Sequence, residues 1–314
     1  MALTHLDELR MVDPVLTTVA QGYSNPSMVA DKLFPFVPVS KMKGKIPVFG
    51  REAFVVRDTD RAIRAASNRI PPSDIQLVEF ETVEKDVEVA IDYLEEEETP
   101  DFFKYEQRVA RELQDILLLG IEKEAADYVQ NTANYDASLK LEVDALTAWD
   151  DYTNDTDPIQ VIRQAMSAVR TKIARHPNTM VIGDSAWQTL IQHPDITGRV
   201  KYAGVSNVTT AVISELTGIP NIYIGSAVYS ADGSSFSDVW SDNVVLAYVD
   251  QNEGARRSEF NPSYGYIFRR EGKPEIDTYY ENGGKIKVVR NTDNYCVKVT
   301  AGDAAFLISN VNHS

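Results

Sequence analysis

Cysteine is almost absent from this 314-residue chain, in which Cys296 is the only one. A single thiol cannot form an intrachain disulfide, and it excludes any metal site built from several cysteines. The four histidines, His5, His176, His193 and His313, come from distant parts of the sequence, and a zinc site would need all of them to converge. So low a cysteine content is typical of a protein in a reducing compartment.

Long apolar runs and positive charge are also scarce. No run approaches the ~18 residues that a membrane-spanning helix needs. The N-terminal sequence MALTHLDELRMVDPV lacks the basic and apolar regions of a signal peptide. We therefore expect a cytoplasmic protein without membrane contact. The 31 Lys and Arg residues stand against 47 Asp and Glu, a net charge of −16, which disfavours sequence-independent nucleic-acid binding over the whole protein.

Recognisable catalytic motifs are missing as well. The sequence contains neither of the glycine-rich loops that bind phosphate, Gly-x-Gly-x-x-Gly and Gly-x4-Gly-Lys-Ser/Thr. It also contains no His-Glu-x-x-His zinc motif. VIGDSAW is the nearest match, because Gly183-Asp184-Ser185 resembles the nucleophile element of one class of lipases and esterases. Those enzymes carry Asp-x-x-His near the C-terminus, where this chain has Asn310 in place of the acid, three residues before His313. We predict no catalytic residue, cofactor or metal, and expect Asp184 or Ser185 to cap the following helix.

An apolar strip near the N-terminus, NPSMVADKLFPFVPVSKMKGKIPVF (residues 25–49), is the first positive feature. Pro35, Pro38 and Pro47 exclude a helix or the interior of a sheet, and each favours extended geometry at the residue before it. Residues 1–44 are therefore interpreted as an arm that completes its folding on neighbouring molecules. The proposed apolar anchors are Phe34, Phe36, Val37 and Phe49.

A long two-legged loop with segregated charge is predicted next. Its return leg, Ile75–Tyr93, alternates apolar and acidic residues, which is typical of a strand. From Lys41 to Arg69 there are eight basic and three acidic residues, whereas Glu79–Asp101 holds eleven acidic and one basic. Two solvated faces are the simpler interpretation. The alternative is contact between copies, in which a basic group meets an acidic one: Arg51, Arg57, Arg61, Arg64 and Arg69 against Glu95, Glu96, Glu97 and Glu98.

The rest of the chain predicts a long helix and a second module. Thr99-Pro100-Asp101 is a typical helix start, and the run over 102–130 carries an apolar stripe to which we assign, among others, Ile116, Leu117 and Tyr128. From about 155 to 250 helices alternate with strands, which indicates compact α/β packing, with a turn at Asp232-Gly233. Beyond that, strands and turns dominate.

Six stretches in this order resemble the major capsid proteins of tailed phages, whose architecture is the Hong Kong 97-type fold. The stretches are NPSMVADKLFPFVPVS with GKIPVFGREAF, AWDDYTNDTDPIQVIRQA, PNTMVIGDSAWQTLIQHPDITGRVKY, TTAVISELTGIPNIYIGSAVY, DVWSDNVVLAYV and AAFLISNVN. The resemblance implies an α+β fold with an N-terminal arm at 1–44 and an extended E-loop at 45–80. It places a peripheral domain at 81–154 and 251–300, with the helix at 102–130 as its spine. An axial domain would span 155–250, joined by the final strand within 301–314.

The function implied by the resemblance is structural. Such proteins assemble through hexamers and pentamers into icosahedral shells around double-stranded DNA, without sequence-specific binding. Implied partners are other copies of the chain, a portal protein, a separate scaffold protein and, as a further candidate, a decoration protein. The location would be the virion capsid, assembled in the bacterial cytoplasm. Alternatives are an encapsulin nanocompartment shell, which has the same fold, and an esterase built on Ser185.

Overall fold

The computed structural model describes residues 11–47, 60, 77–98, 102–144, 146–152, 156–202, 207–250 and 262–312. The helices in these ranges are α1 (Pro14–Gln21), α2 (Ala30–Leu33), α3 (Tyr93–Glu98), α4 (Phe102–Val129), α5 (Pro158–Ile173), α6 (Asp184–Gln192), α7 (Pro194–Tyr202) and α8 (Thr210–Thr217). The strands are β1 (Met11–Val12), β2 (Phe36–Val39), β3 (Lys43–Pro47), β4 (Leu77–Glu81), β5 (Val83–Asp92), β6 (Lys140–Glu142), β7 (Thr179–Gly183), β8 (Asn221–Gly225), β9 (Val228–Tyr229), β10 (Ser237–Asp238), β11 (Val244–Ala247), β12 (Gly265–Arg270), β13 (Glu275–Glu281), β14 (Ile286–Val299) and β15 (Ala305–Ser309).

The first sheet is built around β14. Two strands lie along one side of β14 and run antiparallel to it. β13 pairs with the first half of β14, and β12 pairs with its second half. β5 pairs with the other side, while β1 lies beyond β13 and β2 lies beyond β12 at an edge. Pro38 occurs within β2 because an edge strand needs no N–H donor on its outer side.

Helix α4 packs along this sheet and has the extent that the sequence predicts. Its 28 residues make it about 42 Å long. Leu113, Leu117 and Ile121 are buried on the sheet side, as the apolar stripe predicts. Ile116 and Tyr128, assigned to the same stripe, are instead exposed, because they lie on flanks of the helix that the sheet does not cover.

The second sheet has the order β6-β15-β11-β7-β8. All of its strands run in one direction except β11, which is antiparallel to both neighbours. β7, β11 and β15 are fully buried at the centre of the larger apolar core. β15 is the chain's last strand. β6 lies in the region that the sequence analysis assigned to the peripheral domain. The structure instead pairs it with β15 in the second sheet.

The root of the predicted E-loop is a two-stranded ladder, β3 against β4. Phe80 on β4 stacks on Phe268 of β12 with ring centroids 4.4 Å apart, which fastens the ladder to the first sheet. Gly44, opposite Phe80, leaves room for this ring, because a Cβ there would lie 2.7 Å from it. On the ladder's other face Lys43 pairs with Glu81, and Lys45 pairs with Glu79 in the same manner. Part of the segregated charge is therefore neutralised within one chain.

The VIGDSAW segment forms the turn from β7 into α6, and its Gly183 is a packing requirement. A Cβ on Gly183 would lie 1.7 Å from the carbonyl oxygen of Ser241. Gly183 is itself the N-cap residue of α6, and no side chain caps the helix. The prediction that Asp184 or Ser185 supplies the cap is therefore wrong: both residues already lie inside the first turn.

We expect Gly183→Ala to destabilise the subunit by about 3 kcal/mol or more, because the added methyl group must displace the backbone at Ser241. Gly198, inside α7, is the matched control, since a Cβ there meets no atom within 4 Å. Gly198→Ala should leave stability unchanged or raise it by about 0.5–1 kcal/mol. Urea unfolding of the unassembled subunit measures both. Equal midpoints for the two variants would contradict the close approach.

Candidate intersubunit surfaces

The predicted anchor Phe34 lies inside its own chain. Its side chain is fully buried, and its ring centroid is 5.3 Å from that of Tyr264. Gly265 is also required there, because a Cβ on it would lie 2.6 Å from the Phe34 ring. The expectation that Phe34 anchors a neighbouring molecule is corrected by this burial. The strip that holds it folds largely on its own subunit.

Phe36 and Val37 lie on β2 and remain half-buried. β2 pairs in parallel with β12, where Phe36 lies opposite Ile267. The guanidinium carbon of Arg269 lies 4.0 Å from the centre of the Phe36 ring, a cation–π contact within the chain. What is left for a neighbour is the outer edge of β2, with the remaining exposed parts of both side chains.

Much of the predicted basic and acidic pairing falls outside the described residues. That holds for Phe49, Arg51, Arg57, Arg61, Arg64 and Arg69, and for the predicted helix start at Thr99-Pro100-Asp101. Glu95 and Glu98 lie on α3 with exposed side chains, and the backbone of Glu96 and Glu97 continues the same helix. The four glutamates therefore share one short helix that directly follows β5.

The acidic character of this region extends along one face of β5. Four exposed carboxylates lie on one face of the strand, at alternate positions except that Ala90 stands between the last two: Glu84, Asp86, Glu88 and Asp92. Alternate residues of a strand project from one face at spacings of about 6.6–6.8 Å. The intervening residues, Lys85 to Ile91, turn toward α4, where Lys85 pairs with Glu124. We name this set of four carboxylates the β5 acidic row. The alternation that predicted the strand also contained this row, which the sequence analysis did not separate from the glutamates of α3.

Among the described strands, β14 places a cation beside the β5 acidic row. Arg290 on β14 is directly opposite Glu88, and its Nη2 is 2.6 Å from Oδ2 of the buried Asp277. This hydrogen bond raises the pKa of Arg290 further above its ordinary value. Tyr279 donates to Glu88 at 3.0 Å. Arg290 is therefore shared between Asp277 and the row, since Asp86 also contributes to its raised pKa.

A buried carboxylate joins the arm, the spine helix and the second sheet. Glu122 of α4 is 1% exposed and accepts hydrogen bonds from the backbone N–H of Val29 and of Ala30, each at 2.8 Å. A third comes from the indole N–H of Trp240 at 2.5 Å. Burial raises the pKa of Glu122, and the three donors oppose that shift. A second contact between the same segments lies nearby. The Asp115 carboxylate of α4 accepts hydrogen bonds from the Tyr23 hydroxyl and from the Asn25 side-chain amide.

The residues of the esterase alternative are not assembled in the described part of the chain. Ser185 lies in the first turn of α6, where its carbonyl accepts from the Thr189 hydroxyl. The buried His193 lies at the other end of that helix, with its ring 5.7 Å from that of Tyr152. His313 lies outside the described residues. Within the ranges described, no helix is both long and apolar enough to cross a membrane, and no three potential ligands converge on a metal position.

Comparison with known proteins finds similarity to phage capsid proteins. The family model described as phage major capsid protein E matches residues 115–263. The major capsid protein of Burkholderia phage BcepMu is 41% identical over 309 residues, covering 98% of this chain and 99% of that protein.

Two solved structures extend the similarity to the fold. A phage-related protein from Bordetella bronchiseptica RB50 has a TM-score of 0.79 at 29% identity, covering 97% of this chain and 99% of that one. The mature capsid of bacteriophage PhiM1 has a TM-score of 0.54 at 12% identity, covering 93% and 90%, which compares the fold alone.

Glu122→Ala should lower the free energy of unfolding by about 3 kcal/mol, because three buried donors lose their acceptor. Glu122→Gln should cost about 1–2 kcal/mol, since an amide offers one acceptor oxygen and directs N–H groups at other donors. Glu112→Gln, on the exposed side of the same helix, is the control and should change stability by less than about 0.5 kcal/mol. Urea unfolding of the unassembled subunit would contradict this role if Glu122→Ala matched the control.

Proposed function

This chain belongs to the family of phage major capsid proteins, and we propose that it assembles through hexamers and pentamers into an icosahedral shell that encloses double-stranded DNA. The observation that carries the proposal is the 41% identity to the BcepMu major capsid protein over 98% of the chain. The Hong Kong 97-type α+β fold expected from the sequence is confirmed by the solved structures that share it, a phage-related protein and a phage capsid. The esterase and encapsulin alternatives have no comparable support.

The shell would be held together by two kinds of contact between copies, charged and apolar. Exposed ion pairs contribute only about 0–1 kcal/mol each, so charge would chiefly set register. Buried apolar area would supply most of the stabilisation, at about 25 cal/mol per Å². Contacts of this head-to-tail kind close into rings when the rotation between copies is a simple fraction of a turn.

The basic part of the E-loop would meet the acidic surface of an adjacent copy. Its candidates are the five arginines Arg51, Arg57, Arg61, Arg64 and Arg69. Their counterpart would be the β5 acidic row together with the glutamates of α3. The support for this is the exposure of the row, together with the engagement by Asp277 of Arg290, the cation that the described strands place beside the row. The outer edge of β2, with Phe36 and Val37, and the predicted anchor Phe49 would add apolar area.

The acidic composition suits a container for DNA. A net charge of −16 per copy repels phosphates, so packaged duplex would not adsorb to the wall. The chain would need a portal for DNA entry and a separate scaffold protein for assembly, with a decoration protein as a further partner. Assembly would take place in the bacterial cytoplasm, and the protein would end in the virion capsid.

Reversal of two E-loop charges tests the electrostatic part. Arg61→Glu with Arg64→Glu should reduce the yield of closed shells about tenfold, measured by sedimentation and negative-stain microscopy of protein co-expressed with its scaffold. Adding Glu84→Lys and Asp86→Lys should restore much of that yield, since the two sites then attract again.

The matched control is Arg170→Glu with Lys201→Glu. It changes the net charge by the same amount as the E-loop variant, on exposed residues of α5 and α7. Shells at wild-type yield in the E-loop variant would overturn this contact while leaving the shell function intact. A wild-type chain that stays monomeric with its scaffold at high concentration would overturn the shell function itself.

Ser185→Ala tests the enzymatic alternative. We expect shell yield to be unchanged, because the neighbouring backbone, not the Ser185 hydroxyl, shapes the turn. Ester hydrolysis by purified wild-type protein, lost in Ser185→Ala, is the result that would restore the esterase hypothesis.

A further inference from the structure

Two turns of the second sheet present the most exposed large apolar side chains in the described part of the chain. Phe236 is 79% exposed and Leu146 is 68% exposed. An exposed aromatic side chain of this size, held on an ordered turn, is a typical anchor of a protein interface. Neither residue belongs to the arm, the E-loop or the β5 acidic row.

Phe236 lies at the end of a stiff hairpin formed by β9 and β10. Asp232 holds the tip, because its carboxylate accepts from the backbone N–H of Ser234 at 2.9 Å and of Ser235 at 3.0 Å. On the side of the hairpin that faces α4, the Tyr229 ring lies 4.8 Å from the Lys123 ammonium nitrogen. The hairpin is therefore fixed at both its tip and its root.

The exposed side of the hairpin carries two apolar side chains and the carboxylate of Asp238. Val228 pairs with Asp238 across the ladder, and Phe236 precedes Asp238 by two residues. Alternate residues share a face, so Phe236 projects on the same side as Val228, which is 47% exposed. We name Val228 and Phe236 the hairpin knob.

Leu146 is presented by a second turn of similar construction. The Asp144 carboxylate accepts from the backbone N–H of Leu146 at 3.2 Å and of Thr147 at 3.0 Å, and from the Thr147 hydroxyl at 2.7 Å. Leu141, on the preceding strand β6, is 40% exposed. We name Leu141 and Leu146 the β6 patch.

The sheet topology places the hairpin knob and the β6 patch at one level on opposite edges. β6 and β8 are the two edge strands, and they run in the same direction through β15, β11 and β7. The hairpin follows the carboxyl end of β8, and the Leu146 turn follows the carboxyl end of β6. Both features therefore lie at the same end of the sheet, whose two edge strands are about 19 Å apart.

We propose that the hairpin knob of one copy packs on the β6 patch of the next copy, in a head-to-tail contact around the capsomer ring. This inference rests on the proposed function, because it assigns a contact within the assembled ring. A heterologous contact requires complementary patches on opposite sides of one subunit, and these two meet that requirement. Preformed turns reduce the entropy lost on association, and Phe236 supplies most of the apolar area.

Cysteine pairing tests the contact directly. In a Cys296→Ser background, Phe236→Cys combined with Leu146→Cys places one thiol on each patch and leaves no other in the chain. A disulfide forms only where the two Cα atoms approach within about 7 Å. Mild oxidation of assembled shells should then give a ladder of linked chains that reaches the ring size on non-reducing gels. Each single-cysteine variant should give no such ladder.

A second series does not depend on cysteine geometry. Phe236→Ser should reduce shell yield about tenfold, whereas Phe236→Leu should retain most of it, since leucine keeps an apolar side chain at the contact. The unassembled variants should unfold at the same urea concentration as wild type, because the Phe236 side chain is exposed in the subunit.

The outcomes separate this inference from the function on which it rests. Shells that form at wild-type yield in Phe236→Ser and give no ladder in the double-cysteine variant would overturn the contact and leave the shell function standing. Failure of the wild type to assemble would overturn the shell function. A ladder together with loss of yield in Phe236→Ser supports the proposed contact.

Discussion

The buried carboxylate of Glu122 is the contact on which the arrangement of this subunit depends. A lone buried charge is costly unless several donors compensate it, and here the three donors come from two segments far apart in the chain. Val29 and Ala30 position the arm, and Trp240 positions the entry to β11. Since Glu122 lies on α4, the spine helix becomes the reference for both. The described segment around Val29 and Ala30 is consequently an integral part of its own subunit before any neighbour is present.

A polar layer gives the spine helix its register on the first sheet. The two apolar clusters of the molecule meet α4 at different points along its length. Between them Gln114 accepts a 2.8 Å hydrogen bond from Asn291 on β14, and the buried Asp293 pairs with Arg269 at 2.8 Å. Apolar packing alone would tolerate a shift of one helical turn, whereas Gln114 and Asn291 would then lose each other as hydrogen-bond partners. The Asp293–Arg269 pair lies within the sheet, where burial lowers the pKa of Arg269 and raises that of Asp293, so separating these two groups would be costly.

Local patterns predicted the elements of this fold well, and tertiary contacts decided what the patterns left open. The spine helix and the strand at Thr179–Gly183 were predicted with nearly their observed bounds, because periodicity and turn residues act over a few positions. The role of Phe34 was not, since proline-rich apolar sequence looks alike whether it covers its own core or that of a neighbour. The burial of Phe34 and the hydrogen bonds that Val29 and Ala30 donate to Glu122, 93 and 92 residues away, distinguish the two cases. Phe236 gave no local signal, because a single aromatic residue among serines has no period.

The separation of apolar and acidic groups explains how copies with a net charge of −16 can associate. Repulsion between exposed charges is screened beyond about 8–10 Å at physiological ionic strength, whereas apolar contact acts only at direct touch. Near Phe236 and Leu146, the carboxylates of Asp232 and Asp144 are engaged by N–H and O–H donors of their own turns, which lower their pKa values. Those donors offset part of the negative charge where close approach is needed. Asp238, in contrast, is exposed on the face that carries Phe236. The carboxylates of the β5 acidic row lie on the other sheet, where the proposed contact requires a basic partner. The two surfaces thus differ in their balance of apolar and acidic groups, as the two proposed contacts require.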